Sequence, residues 1–177
     1  FINYGGIQAI QTLWAGPWML NISGYTPLQS ATGLFWINIT MLISYFIWGY
    51  ILPKISDYGI NSIKLIKLGL PISYFSLSLI IYFGNNAGAF LFTIYIMTSI
   101  VISLTQPAIA LNFSKNLAGK SLTSFNVFLF SGTFFVQWGI GLVIDLCNNK
   151  GFDILGSYRI SFSIFLFLCV LSYIFFI

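Results

Sequence analysis

Residues 31–52 read ATGLFWINITMLISYFIWGYIL, a run of 22 residues without a charged side chain. An α-helix rises about 1.5 Å per residue, so this run is about 33 Å long, and the hydrocarbon core of a bilayer is about 30 Å thick. A charged side chain at that depth costs several kcal/mol, and this stretch avoids one. The run therefore predicts a membrane-spanning helix.

The same lack of charge extends along the whole chain. Of 177 residues, 6% are charged and 58% are hydrophobic, and the mean hydropathy is +0.94, whereas roughly 25% of residues are charged in an ordinary globular domain. The apolar runs are continuous rather than alternating, which excludes a transmembrane β-barrel. The composition predicts an all-α integral membrane protein. The uncharged segments are residues 1–53, 68–114, 121–144 and 160–177.

Turn-forming and charged residues divide the chain into six predicted spans. Short connections favour antiparallel neighbours, so we expect one six-transmembrane-helix bundle. The second span is expected to end at Pro53, and Pro71 and Pro107 are expected to kink the third and fourth. The predicted spans are residues 1–21, 31–52, 62–83, 89–111, 122–146 and 159–177.

The basic residues predict the orientation of this bundle. When the connections alternate between the two sides of the membrane, five lysines fall on one side, and Lys150 and Arg159 fall on the other with Asp145 and Asp153. The lysine-rich side is cytoplasmic by the positive-inside rule, so we expect a multi-pass protein with both termini in the cytoplasm. The five lysines are Lys54, Lys64, Lys67, Lys115 and Lys120.

Several function classes lose support from the residues that are rare. The chain has no histidine, and Cys147 and Cys169 lie far apart, so no metal site, redox motif or cofactor is expected. The scattered bases form no stripe of the kind that binds nucleic acid. The chain begins and ends inside apolar runs without a charged flank, which we interpret as a fragment of a longer protein.

Two motifs carry a family resemblance. Residues 8–18 read QAIQTLWAGPW and residues 137–141 read QWGIG. These segments resemble the seventh and eleventh helices of major facilitator superfamily transporters, particularly a bacterial branch with LWAGPW and QWGIG segments. The resemblance covers residues 1–177 as the C-terminal six-helix half, helices 7–12 of a 12-helix fold.

That resemblance implies a function. The chain would be part of a secondary active transporter that moves a small solute across the bacterial inner membrane by alternating access, and it would not be an enzyme. Its partners would be the lipid bilayer, a small-molecule substrate and the N-terminal six-helix half of the same transporter. The substrate class does not follow from the fold, because one transporter fold serves many solutes.

A loop motif of the superfamily is only partly present. Relatives have a glycine, then an acid four residues later, then a base and a second glycine, and the acid forms an ion pair that acts as a conformational latch. Here Pro53 stands at the place of the acid, and the remnant is Gly49, Lys54, Asp57 and Gly59. We interpret the lysine and the aspartate as parts of a solvated loop rather than a latch, because exposed ion pairs contribute little.

Polar residues at mid-depth are the candidates for contacts with substrate. Tyr4, Gln8, Gln11 and Ala15 follow helical spacing in the first span and predict one face. Asn126, Thr133 and Gln137 form a stripe in the fifth span, and Ser99, Ser103 and Gln106 form one in the fourth. The candidate cavity residues are Gln8, Gln11, Trp14, Asn38, Gln106, Asn126, Thr133 and Gln137.

These residues also have a structural interpretation. Amides and hydroxyls in membrane helices often join neighbouring helices, and for Asn38 and Thr133 we favour that role. For Gln8, Gln11 and Gln137 both roles stay open, because strongly polar groups at depth are costly and tend to be functional. Trp18 is expected to be an interfacial anchor near the outer end of the first span.

No predicted span has Glu, His, Arg or Lys in its core, and Asp145 lies at the outer end of the fifth. We therefore expect any carboxylate that couples transport to protons to lie outside this chain. An alternative is a small hydrophobic subunit of a respiratory membrane complex, which should carry Glu or Lys at depth. A membrane-embedded enzyme would need a nucleophile, metal ligands or an acid–base pair, and none is evident.

Overall fold

The computed structural model describes residues 1–177, apart from the side chain of Lys115. Helices contain 89% of the residues, and the described residues include no strand. The predicted all-α class is therefore confirmed. The six helical segments are α1 (residues 2–21), α2 (Pro27–Ser56), α3 (Ser62–Phe83), α4 (residues 89–112), α5 (Lys115–Asn149) and α6 (Ile154–Phe176).

Five of these segments, α2 to α6, are long and apolar enough to cross a membrane. The first predicted span, α1, is helical but is not among them. Its amide side chains at Asn3, Gln8 and Gln11 lower its hydropathy. Much of α1 is nevertheless buried against the other helices, with Ala9 and Ile10 fully inaccessible. The chain is thus an α-helical membrane protein with five apolar helices and a more polar one that packs chiefly against α5.

Two of the segments are interrupted near the middle. Pro17 and Pro107 each lie three residues beyond the end of an interruption. A proline has no N–H for the carbonyl four residues earlier and its ring crowds that carbonyl, so the α-helical ladder is broken there. In α1, π-helical Ile10–Trp14 separates Ile2–Ala9 from Ala15–Asn21, and in α4, 3₁₀-helical Ile100–Leu104 separates Ala89–Ser99 from Thr105–Asn112.

The prediction that the second span ends at Pro53 is wrong, because α2 continues to Ser56. A proline near the end of a long helix removes one hydrogen bond, and membrane helices tolerate that loss. The same helix begins four residues before residue 31, because the Thr26 hydroxyl accepts from the Gln29 N–H and the Gln29 side chain accepts from the Thr26 N–H. This capping box satisfies two backbone donors at the helix start.

The connections on either side of α5 are shorter than predicted. Residues 115–120 and 147–149, expected in loops, belong to α5, and the connection to α6 is only residues 150–153. Lysine and leucine are good helix formers, so a helix can continue through them. A charged residue therefore marks where the helix leaves the hydrocarbon, not where the helix ends. At the start of α6, the Asp153 carboxylate accepts from the Gly156 N–H at 3.2 Å.

Side chains from all six segments form the core. The α1 segment packs chiefly on α5, α2 on α4, and α3 on both α4 and α6. The indole of Trp18 is fully buried, with its ring centroid 5.0 Å from that of Phe162 and 6.0 Å from that of Phe92. The prediction that Trp18 is an interfacial anchor is therefore wrong, because its indole is buried in the core, although another face of α1 is exposed at Thr12 and Leu13.

Candidate functional site

The π-helical part of α1 brings together four of the predicted cavity residues. Gln11 and Trp14 lie within it, Asn38 comes from α2 and Gln137 comes from α5. The backbone there departs from α-helical geometry, and successive side chains contact different helices. Short π-helical segments are frequent at functional sites. We therefore take this junction of α1, α2 and α5 as the candidate site, the α1 junction.

On one side of the junction, α1 is joined to α2 by two amides. The Gln11 Nε2 donates to the Asn38 Oδ1 at 2.6 Å, and the Asn38 Nδ2 donates to the backbone carbonyl of Leu34 at 2.7 Å. A carbonyl only accepts, so the second bond determines which end of the Asn38 amide faces Gln11. The Gln11 Oε1 is buried and has no donor among the described residues.

On the other side, α1 is joined to α5 by two hydrogen bonds. The Gln137 Nε2 donates to the Thr12 Oγ1 at 2.9 Å, and the Trp14 Nε1 donates to the Gln137 backbone carbonyl at 3.2 Å. The Thr12 hydroxyl itself donates to the Gln8 carbonyl at 2.6 Å, so it must accept from Gln137. These bonds hold the side chain and the backbone of Gln137 against α1.

Thr12 is exposed and was missed by the sequence analysis. It lies one residue from Gln11 and off the face that helical spacing predicts. A threonine in a membrane helix commonly bonds to its own backbone, as Thr12 does, so its type alone carries little signal. Its position next to Gln11 is the signal in the sequence that could identify it. Successive residues on a helix point to different neighbours, so Thr12 can contact another helix when Gln11 contacts α2.

The other candidates are not brought into the α1 junction. Gln8 and Gln106 are half-buried, and neither side chain makes a hydrogen bond among the described residues. Asn126 is exposed on α5, 11 residues before Gln137 and so about 16 Å away along the helix. Thr133 donates to the carbonyl of Leu129 in its own helix at 3.2 Å.

The predicted polar stripe in the fourth span is wrong. It assumed α-helical spacing for Ser99, Ser103 and Gln106, but residues 100–104 are 3₁₀-helical, with about three residues per turn. The spacing therefore does not place these three side chains on one face. Ser99 is 2% exposed, and its hydroxyl has no partner among the described residues.

The remnant of the superfamily loop motif is not a loop throughout. Gly49 and Lys54 lie in α2, Asp57 follows the last helical residue, and Gly59 is in the turn with φ +76°. The Lys54 ammonium lies 3.8 Å from the ring centroid of Tyr50 and donates to its hydroxyl. The placement of Lys54 in a loop is wrong, because α2 continues beyond Pro53.

The α1 junction contains amides, one hydroxyl and one indole, and no charged side chain. Such groups bind by hydrogen bonds and ring contacts rather than by ion pairs or metal coordination. Elsewhere in the described part of the chain, no group of three or more His, Cys, Asp or Glu residues is placed to hold a metal ion. Comparisons with models of known protein families, with curated proteins and with solved structures gave no match.

Proposed function

We propose that this chain is the C-terminal six-helix half of a major facilitator-type secondary transporter, working by alternating access in a bacterial inner membrane. The carrying observation is an apparent inverted repeat of three helices. If α1, α2 and α3 correspond to α4, α5 and α6, each contact between two helices should have an equivalent contact between their counterparts. The contact of α1 with α5 corresponds to that of α4 with α2, and the structure has both contacts. Likewise α1 with α2 becomes α4 with α5, and α1 with α6 becomes α4 with α3, whereas the extensive contact of α5 with α6 has no counterpart of similar extent between α2 and α3. Transporter halves of this class contain such repeats.

The interruptions of α1 and α4 support the same proposal. They occupy the first helix of each three-helix unit, and in both the proline stands three residues beyond the irregular segment. Interrupted helices at corresponding positions of two repeats are the feature that marks binding sites in secondary transporters. The polar groups of the α1 junction lie at the first of these interruptions.

The proposal also accounts for the polarity of α1. In a six-span half, α1 is the first span and joins the five apolar ones. Its low hydropathy is tolerated because it faces other helices and a polar cavity rather than lipid. Thr12 and Asn38 are exposed in this chain, and an exposed amide at membrane depth is costly next to hydrocarbon. The face that carries them would line the cavity shared with the N-terminal half.

Cysteine labelling tests this function without knowledge of the solute. In the complete protein, Thr12→Cys is introduced into a background in which Cys147 and Cys169 are alanine. A membrane-impermeant maleimide is then applied to intact cells and to inside-out vesicles. Alternating access predicts labelling of Thr12→Cys from both sides. The matched control, Ile72→Cys, replaces a side chain that is exposed near the middle of α3 and should face lipid, so it should react from neither side.

The labelling pattern separates the two candidate functions. Labelling from both sides is the pattern expected of a cavity that opens alternately. If Thr12→Cys reacted from neither side of the membrane, although the protein was expressed there, the proposal would be contradicted. That result would favour a hydrophobic subunit of a respiratory complex, in which the same face is permanently packed against a neighbouring subunit.

A further inference from the structure

The amides of the α1 junction share an orientation. Each amide donates one N–H to an acceptor inside the protein. Gln11 donates to the Asn38 Oδ1, Gln137 donates to the Thr12 Oγ1, and Asn38 donates to the Leu34 carbonyl. These assignments follow from the network, since the Leu34 and Gln8 carbonyls can only accept. The Oε1 atoms of Gln11 and Gln137 receive no donor from any side chain or backbone group that the structure describes.

The missing donor of Gln11 is the more informative of the two. The residue is 9% exposed, and its Oε1 is shielded from solvent. A buried acceptor without a donor costs roughly 1–3 kcal/mol. Asn38, which holds the other end of the Gln11 amide, is exposed. The Nε2 end of the Gln11 amide is therefore bonded to an exposed residue, while its oxygen is buried and unpaired.

We propose that Gln11 and Asn38 form a subsite for an uncharged group that donates a hydrogen bond, such as a hydroxyl or an amide N–H of the transported solute. The Gln11 Oε1 is the acceptor. The subsite is closed in this structure by the Gln11–Asn38 bond, and it opens as α1 parts from α2 at the π-helical segment. This inference rests on the proposed function, because it assigns the solute class of that cavity.

The charge distribution selects against ionic groups at this subsite. Residues 1–53 and 121–144, which include the contributions of α1, α2 and α5 to the junction, carry no formal charge. Asp145 lines a cavity with Gln137, but it lies eight residues further along α5. An ammonium group at Gln11 would therefore have no carboxylate beside it, and a carboxylate would present its lone pairs to those of the Gln11 Oε1. Burying either ion without a partner costs far more than burying a hydroxyl that is hydrogen-bonded.

Protection of Thr12→Cys from alkylation tests the subsite with four probes of similar size. Lactamide and propane-1,2-diol are uncharged donors, lactate is an anion and 1-amino-2-propanol is a cation at neutral pH. The uncharged probes should slow alkylation of the complete protein by about twofold at a concentration equal to their Kd. Lactate and 1-amino-2-propanol should leave the rate unchanged.

Substitutions of Gln11 make the assignment specific. Gln11→Met keeps an unbranched side chain of similar length without the amide, and it should abolish protection by the uncharged probes. Gln11→Glu should transfer protection to 1-amino-2-propanol, because it supplies the missing carboxylate. The matched control is Asn116→Ala, which removes an exposed amide from the start of α5 and should keep the wild-type pattern.

Several outcomes would overturn the inference. They are protection by lactate or 1-amino-2-propanol in the wild-type background, equal protection by all four probes, no protection by any of them, and protection that survives Gln11→Met. Failure of the proposed function is a separate result, since it appears as absence of Thr12→Cys labelling from both sides before any probe is added.

Discussion

At the residue scale, the crossing of α1 and α5 depends on the absence of a side chain at Gly5. A Cβ there would lie 2.4 Å from the carbonyl carbon of Gly132 and 2.5 Å from its oxygen, and backbone atoms cannot yield as a flexible side chain does. Gly5→Ala should destabilise the fold by about 1–3 kcal/mol, the usual cost of overpacking. Heat-induced exposure of the buried Cys147 and Cys169 thiols to a maleimide measures this loss.

Gly49→Ala is the matched control for that substitution. A Cβ at Gly49 meets no atom within 4 Å, and alanine is the better helix former by about 1 kcal/mol. The control should leave the labelling temperature unchanged or raise it slightly. Equal effects of Gly5→Ala and Gly49→Ala would contradict the close helix crossing.

Arg159 has a structural role beyond its value as a marker of topology. Its Nε donates to the Ile81 carbonyl at 2.9 Å and its Nη2 to the Tyr82 carbonyl at 2.8 Å, which satisfies acceptors at the end of α3. Arg159→Met should cost about 1.5–3 kcal/mol, the range for hydrogen bonds with a charged partner. The same thermal labelling assay measures this loss.

Lys150→Met is the control for Arg159. Lys150 is exposed in the connection between α5 and α6, and a surface substitution of this kind usually changes stability by less than about 0.5 kcal/mol. If Arg159→Met proved as mild as Lys150→Met, the two hydrogen bonds to α3 would not be stabilising.

At the element scale, the interruptions of α1 and α4 should be the least protected parts of the two helices. Backbone amides of residues 10–14 and 100–104 are expected to exchange with deuterium faster than those in the middle of α2, because their hydrogen bonding departs from the α-helical ladder. Pro17→Ala restores the N–H for the Leu13 carbonyl, and should slow exchange in residues 10–14.

Pro107→Ala should act in the same way on residues 100–104, through the Ser103 carbonyl. Each substitution is the control for the other, since each should slow exchange in its own segment and leave the other segment unchanged. If neither changed the exchange of its segment, the prolines would not be the cause of the interruptions.

The elements also show what a single sequence can predict. The apolar runs predicted α2 to α6 in position and type, because a helix that faces hydrocarbon must be apolar over a bilayer thickness. Their ends were less predictable. At α2 the signal is present, since Thr26-Pro-Leu-Gln29 is a capping box with a proline at the first helical position, but threonine and proline are also typical of turns, and the predicted span starts only at residue 31.

At the scale of the whole molecule, the acids lie away from the middle of the bundle. Asp57 follows α2, Asp153 precedes α6, and Asp145 is exposed near the end of α5. Under the proposed transporter function, Asp145→Asn in the complete protein should leave transport and its pH dependence unchanged, because a coupling carboxylate belongs at membrane depth. Uptake by reconstituted vesicles across a pH gradient measures this, and loss of transport with normal expression would contradict it.

By itself, the sequence determined that this chain is a bundle of membrane helices, because charge and hydropathy are properties of composition that hydrocarbon selects directly. It also supplied Gln11, Asn38 and Gln137 as candidates. Only the tertiary structure decided that these three meet at the π-helical segment of α1, that Thr12 joins them and that Gln106 and Asn126 do not. The physical reason is that contacts between helices depend on local backbone geometry and helix crossing, which α-helical periodicity does not report.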